Sequence, residues 1–248
     1  MKNIGILGGM GPEATAEIYM KIIRLFQDKY GAKYDSDFPQ IIINSIPLPD
    51  VVEKVVSQVT VSEILIQNAL LLEKAGADFI IIPCNSVSNF IPEIRRKVNV
   101  PVLSIIEEAV KEIRVNTIGL LATNYTIASK LYENIITAAG KKLILPNNNE
   151  QKIITEVIMA VLANKEIDAA KIKLKNIIAQ LRGRGAEQIV LGCTDLPFVS
   201  DKTSYLVDTL EVLSRRAVEM VFEEDIKIGD QKIINQQEQI KFERGQKK

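Results

Sequence analysis

The chain has 248 residues, 47% of them hydrophobic and 25% charged, which is the balance of an ordinary globular protein with interior enough for one large domain or two small ones. Its 31 basic residues match 31 acidic ones and no basic block occurs, which argues against nucleic acid or an anionic membrane surface as a partner. It has no histidine, so the usual base near neutral pH and the commonest zinc ligand are both missing, and proton chemistry falls to Cys, Asp, Glu, Lys or Tyr.

Residues 3–7 read as a strand running into Gly8-Gly9-Met10-Gly11, after which Pro12 suits a helix start and Ala14, Ile18, Ile22 and Ile23 follow at helical spacing. The apolar run before these glycines is too short for a signal peptide, and no later stretch approaches the roughly 20 apolar residues that span a bilayer. A cytoplasmic location is therefore expected. Residues 40–46 form a largely β-branched run closed by Pro47 and Pro49. Residues 59–74 read as a helix stopped at Gly76, and 79–82 as a strand buried on both faces. Further strands are expected over 102–104, 117–121, 142–145, 188–191 and 205–207, with helices over 128–139, 150–163 and 168–183. Strands separated by helices of this length imply parallel βαβ units. The segment from 225 to 248, rich in Gln and Lys with scattered Ile233, Ile234, Ile240 and Phe242, is compatible with a disordered tail or a partner-facing helix.

An internal repeat organises the chain. Asn3-Ile4-Gly5-Ile6-Leu7-Gly8-Gly9 matches Thr117-Ile118-Gly119-Leu120-Leu121-Ala122-Thr123. Gly76-Ala77-Asp78-Phe79-Ile80-Ile81-Ile82-Pro83-Cys84-Asn85-Ser86 matches Gly185-Ala186-Glu187-Gln188-Ile189-Val190-Leu191-Gly192-Cys193-Thr194-Asp195 at nearly the same offset. The expected fold is thus α/β, with two similar lobes of parallel sheet flanked by helices, related by a pseudo-twofold axis, and an active site in the cleft between them. Residues 1–100 with about 206–225 would form the first lobe, 101–205 the second, and 226–248 a tail.

The repeat also decides how the two cysteines are read. A free cysteine is most often a small buried hydrophobe, and these two are too far apart in sequence for a CxxC motif. Both, however, fall at the carboxyl end of a strand, where open parallel sheets bind ligands, and both are followed by small polar residues. If the lobes face one another, so do the thiols. A thiolate opposite a thiol can take a proton from one face of a carbon and return one to the other, and no cofactor is required. Backbone N–H groups after Cys84 and Cys193, with the Asn85, Ser86 and Thr194 side chains, are suited to the carboxylate whose charge grows as the proton leaves.

Gly8-Gly9-Met10-Gly11-Pro12-Glu13-Ala14-Thr15, Pro83-Cys84-Asn85-Ser86 and Leu191-Gly192-Cys193-Thr194-Asp195-Leu196-Pro197 resemble the three signatures of the aspartate/glutamate racemase family, most closely its aspartate racemase branch. The likeness runs over about 1–222. It implies cofactor-independent racemisation of aspartate, or of glutamate, by a two-base mechanism with Cys84 and Cys193 as the pair. It also implies Met10, Asn85, Ser86, Thr123 and Thr194 around the substrate, and a homodimer. The sequence departs from the family pattern in two places. Ser88 stands where a histidine is usual. Asn44 and Ser45 occupy the stretch where members that use acidic substrates carry an arginine, and no arginine occurs between Arg24 and Arg95. Lys165, with Leu162 as the alternative register, falls near a substrate-binding lysine of some aspartate racemases. Lys165 and Lys54, with Asn44 and Ser45 as neutral donors, are the candidates to meet a side-chain carboxylate.

Other readings stay open on the residues alone. Gly9-Met10-Gly11-Pro12-Glu13-Ala14 matches the dinucleotide fingerprint, yet no acid closes the second strand to hold a ribose. A racemase of a neutral amino acid, a one-cysteine decarboxylase or isomerase on the same scaffold, and a non-catalytic amino-acid binding protein are the alternatives.

Overall fold

The computed structural model describes residues 1–48 and 57–223. Strands β1 (Ile4–Gly8), β2 (Ile41–Ser45), β3 (Phe79–Ile81) and β4 (Val102–Leu103) form one sheet in the order β2-β1-β3-β4. Strands β5 (Thr117–Ala122), β6 (Lys142–Ile144), β7 (Gln188–Gly192) and β8 (Leu206–Asp208) form a second in the order β6-β5-β7-β8. Every pairing is parallel. The two orders are the same, and the repeated segments hold the same places in them, β1 and β5 second, β3 and β7 third. The eight strands expected from the sequence are all present.

Strand pairing crosses the lobe boundaries expected at 101 and 206. β4 belongs to the first sheet, because Val102 and Leu103 extend the ladder of β3 opposite Ile80 and Ile81. β8 belongs to the second, with Val207 opposite Val190.

Helices α1 (Pro12–Tyr30), α2 (Gln58–Lys74), α3 (Ile91–Arg95), α4 (Ile105–Lys111), α5 (Asn124–Ala128), α6 (Leu131–Ala138), α7 (Asn148–Leu162), α8 (Ile167–Gly183) and α9 (Thr209–Met220) flank the sheets. α1 starts with Pro12 in its first turn and Glu13 beside it, where a carboxylate complements the helix dipole, and ends at Gly31, whose φ of 67° is the left-handed cap a glycine adopts without strain. Its buried stripe Ala14, Ile18, Ile22 and Phe26 recurs every fourth residue and joins the core. α7 opens on a capping box between Asn147 and Glu150. The helix expected over 128–139 is α6, and a short helix not expected from the sequence, α5, precedes it. α5 begins with the Thr123 hydroxyl accepting from the Thr126 N–H, and the chain breaks at Lys130, whose φ is 58°.

The sheets share one apolar core. Ile4, Ile6 and Phe26 from the first half pack in the same cluster as Leu120, Tyr132 and Leu213 from the second. Burying each such side chain is worth about 1.5–3 kcal/mol, so this shared cluster joins the two halves. Outer clusters back each sheet, one including Leu7, Ile80 and Cys84, the other Leu121, Leu191 and Cys193. Among the described residues no helix is long and apolar enough to cross a membrane.

Candidate active site

Cys84 and Cys193 follow the carboxyl ends of β3 and β7, the equivalent central strands of the two sheets. Each is only 6% exposed and neither is in a disulfide. Their surroundings differ. The Cys84 sulfur faces the backbone N–H groups of Ser86 and Val87, in the turn that leads into α3. Burial pushes its thiol up to about 11, and those two N–H groups, which favour the thiolate, offset only part of the rise. Cys193 donates its S–H to Oδ2 of Asp195 at 3.3 Å. Burial first, and the Asp195 charge second, hold the Cys193 thiol well above its ordinary range, and a charge on Cys84 adds to the effect. The two sulfurs therefore sense one another. Asp195 itself is buried, and desolvation raises its carboxyl; the Cys193 S–H opposes that rise and the Glu13 charge adds to it. Glu13 stands in the first turn of α1, so its field reaches Asp195 from the other half of the molecule.

The wall beside the cysteines is a polar seam between the halves. Ser86 Oγ lies 3.1 Å from both Thr123 Oγ1 and Thr126 Oγ1. Asn85 is held at both ends of its amide: the Tyr132 hydroxyl donates to its Oδ1 at 2.7 Å, and its Nδ2 donates to Thr209 Oγ1 at 3.1 Å. Thr209 in turn donates to the carbonyl of Leu191, two residues before Cys193. This chain of hydrogen bonds ties the turn that carries Cys84 to the strand that carries Cys193. It also engages both ends of the Asn85 side chain. Tyr132 is fully buried, and burial together with the Cys193 charge pushes its hydroxyl upward, so it stays a donor.

The glycine loop closes one side. Gly9 has φ 94°, and a Cβ there would stand 2.2 Å from the Ile46 carbonyl oxygen, so only glycine fits. Thr15 pins the loop, accepting from the Gly9 N–H at 2.8 Å and donating to the Gly11 carbonyl at 2.9 Å. Met10 packs against the cluster that contains Cys84. Ser45 lies opposite Gly8 at the end of β2, and Asn44 donates to Asn68 Oδ1 at 2.9 Å.

Of the residues expected from the sequence, Cys84, Cys193, Asn85, Ser86, Thr123 and Thr194 are buried at this junction, while Met10, Asn44 and Ser45 border the glycine loop. Lys165 lines instead a groove between α7 and α8 with Glu156, Ala160 and Lys173. Leu162, at the end of α7, is the residue that reaches across, its Cδ2 3.7 Å from where a Cβ on Gly11 would stand. Lys54 falls outside the described residues. Ser88 is buried and its Oγ has no hydrogen-bond partner among the described residues. Asp195, which the repeat sets after Cys193 where Ser86 stands after Cys84, was given no part in the proton chemistry by the sequence; the structure places its carboxylate on the Cys193 S–H. Tyr132 and Thr209 carried no local signal at all.

The profile of the Asp/Glu/Hydantoin racemase family matches residues 7–217, which include both cysteines and the glycine loop. The chain belongs to the Asp/Glu/hydantoin racemase family. It is an amino-acid racemase, an isomerase. The racemase is 32% identical to the broad specificity amino-acid racemase RacX of Bacillus subtilis over 200 residues, 80% of this chain and 87% of that one. Its fold resembles the crystal structure of an aspartate racemase homologue from Pyrococcus horikoshii, with a TM-score of 0.76, 29% identity and coverage of 90% of this chain and 100% of that one. A glutamate racemase from Francisella tularensis in complex with D-glutamate shares the fold at a TM-score of 0.64 and 18% identity, over 89% of this chain and 81% of that one.

Proposed function

We propose that this racemase inverts the α-carbon of an amino acid by proton transfer between Cys84 and Cys193. The observation that carries the reading is the pairing of two buried thiols at equivalent strand ends, with a hydrogen-bonded seam tying the turn of one to the strand of the other. With one sulfur as thiolate, that sulfur takes the Cα proton and becomes S–H. The opposite S–H gives its proton to the other face of the carbanion and is left as thiolate. The product leaves the pair with its states exchanged, ready for the reverse reaction. The Ser86 and Thr123 hydroxyls, beside the cysteines, support a place for the α-carboxylate, whose oxygens gain charge as the proton departs. Thr194, beside Cys193, is assigned to the same α-groups.

The asymmetry of the pair gives Asp195 a part. Its carboxylate accepts the Cys193 S–H and is raised by burial, so it is a stronger base than a solvated aspartate. We assign it to hold the Cys193 proton when that side must act as base. With both cysteines so little exposed, the segments that cover them must open to admit substrate and close to exclude water from the carbanion. Resemblance to the aspartate branch supports a homodimer, and free thiols that must stay reduced support a cytoplasmic setting.

The test is to incubate the purified enzyme with single enantiomers in D₂O, following optical inversion by chiral chromatography and α-deuterium by NMR. Inversion with one solvent deuteron in each product molecule supports the proposal. Inversion with full retention of the α-hydrogen would refute it.

A further inference from the structure

Resting on that reading, we propose that Thr209 is a positioning residue for the thiol pair: its hydroxyl carries the frame of β7 to the turn that holds Cys84, and so sets Cys84 opposite Cys193 across the α-carbon. The two cysteines are not held alike. Cys193 directly follows Gly192, the last residue of β7, a central strand paired on both sides by β5 and β8. Cys84 stands three residues beyond Ile81, where β3 ends, on irregular backbone whose bond from the Cys84 N–H to the Ile82 carbonyl is local to the turn. A proton-transfer group needs closer control than such a turn supplies, because a displacement of about 1 Å costs on the order of a hundredfold in rate.

Thr209 links the two segments. It is fully buried at the start of α9, and its side chain is not the cap of that helix: Asp208 accepts from the Leu210 and Glu211 N–H groups. A buried hydroxyl is satisfied by one partner, and the bond that Thr209 donates to the Leu191 carbonyl at 3.0 Å provides it. The second bond, accepted from Asn85 Nδ2 at 3.1 Å, reaches the residue next to Cys84. Leu191 is itself fixed within β7, opposite Leu121 on one side and Asp208 on the other. One oxygen thus joins the strand that ends in Cys193 to the turn that carries Cys84. Tyr132 donates to the other end of the Asn85 amide at 2.7 Å, which keeps Nδ2 aimed at Thr209.

Without the Thr209 hydroxyl each thiol keeps its chemistry, but the pair loses its common frame. One thiolate still takes the α-proton, whereas delivery of a proton to the opposite face slows. In D₂O the carbanion then waits while the S–H just formed exchanges with solvent, and a deuteron returns to the face from which the proton came.

The experiment is run in D₂O on the full chain, with whichever of L-alanine, L-methionine, L-lysine, L-aspartate and L-glutamate the wild type inverts fastest. It reads a ratio, deuterium in the recovered L-enantiomer over D-enantiomer formed, which does not depend on how much of a preparation is folded. T209V keeps the shape and removes the hydroxyl, and should raise the ratio about tenfold or more. T209S restores the hydroxyl and should return the ratio to within about twofold of the wild type. S214A deletes another buried hydroxyl of α9, one that donates to the Leu210 carbonyl, and should leave the ratio unchanged. Where T209V yields no folded protein, T209A carries the same expectation. A ratio in T209V at or below that of the wild type would overturn the proposal and leave the racemase standing, as would a rise in S214A as large as that in T209V. Inversion by C84S near the wild-type rate would overturn the two-thiol reading and this proposal together, as would a wild type that inverts none of the five.

Discussion

Because burial holds the Cys84 thiol at about 11, its thiolate should be scarce in the free enzyme at neutral pH and should appear only as the solution is made alkaline. Four pH units separate that value from pH 7, so about one molecule in ten thousand carries the thiolate, a bias of about 5.4 kcal/mol toward the thiol. An ordinary cysteine at 9.0 would be ionised about a hundred times more often. Iodoacetamide reacts with the thiolate, so alkylation of Cys84 in a C193S background should rise about tenfold per pH unit from 7 to 10 without levelling. Burial lowers the absolute rate but leaves this slope unchanged. The reagent is a neutral amide, and intact mass spectrometry of timed samples gives the rate. A plateau below pH 9 would mean that the thiolate forms readily in the free enzyme, and the desolvation argument would be wrong. Stability follows the same sign. The folded value lies above the unfolded value of 9.0, so the folded state holds its proton longer. Stability is intact below pH 9 and falls as pH rises from 9 toward 11, by about 2–3 kcal/mol from Cys84 alone.

Replacing Asp195 by Asn removes the acceptor of the Cys193 S–H while keeping the shape. The enantiomer deprotonated by Cys193 should lose about tenfold or more in rate of α-hydrogen exchange, with the other less affected; equal losses for both would contradict the assigned role. Y132F leaves Asn85 Oδ1 buried without its donor, at a cost of about 1–3 kcal/mol. A lower midpoint in urea and a lower kcat, with KM less changed, are expected, since the seam sets where Cys84 stands relative to Cys193. G9A should fail to fold or unfold at much lower denaturant, because its Cβ meets the Ile46 carbonyl at 2.2 Å; near-normal stability would show that the loop can relax.

How much of this was legible in the sequence depended on whether the signal was local. Strand β3 announced itself as an apolar run, and the repeat placed Cys84 and Cys193 at equivalent strand ends. The glycine loop was visible because the turn admits no Cβ at Gly9. Helix α9 was missed although Asp208, whose side chain accepts from the Leu210 and Glu211 N–H groups, caps it, and Leu210, Leu213, Ala217 and Val218 form its stripe. The preceding strand is short enough to have hidden the start. The break between α5 and α6 had no glycine or proline to mark it, because Lys130 adopts the left-handed conformation itself. The seam of Asn85, Tyr132 and Thr209 joins residues 47 and 124 positions apart, and tertiary packing alone creates it. The position of Leu162 over Gly11 likewise depends on how α7 meets the loop across the cleft, and sequence spacing left the choice between it and Lys165 open.

The central claim is that each thiol serves one face of the α-carbon, and the single-cysteine variants C84S and C193S test it most directly. Each would be incubated in D₂O with the separate enantiomers of the best substrate, and both inversion and α-hydrogen exchange would be followed. The account predicts that inversion is lost in both variants, while each retains exchange of the one enantiomer that its remaining thiol can reach, and that the two variants retain opposite enantiomers. Inversion by either variant at a rate near that of the wild type would contradict it.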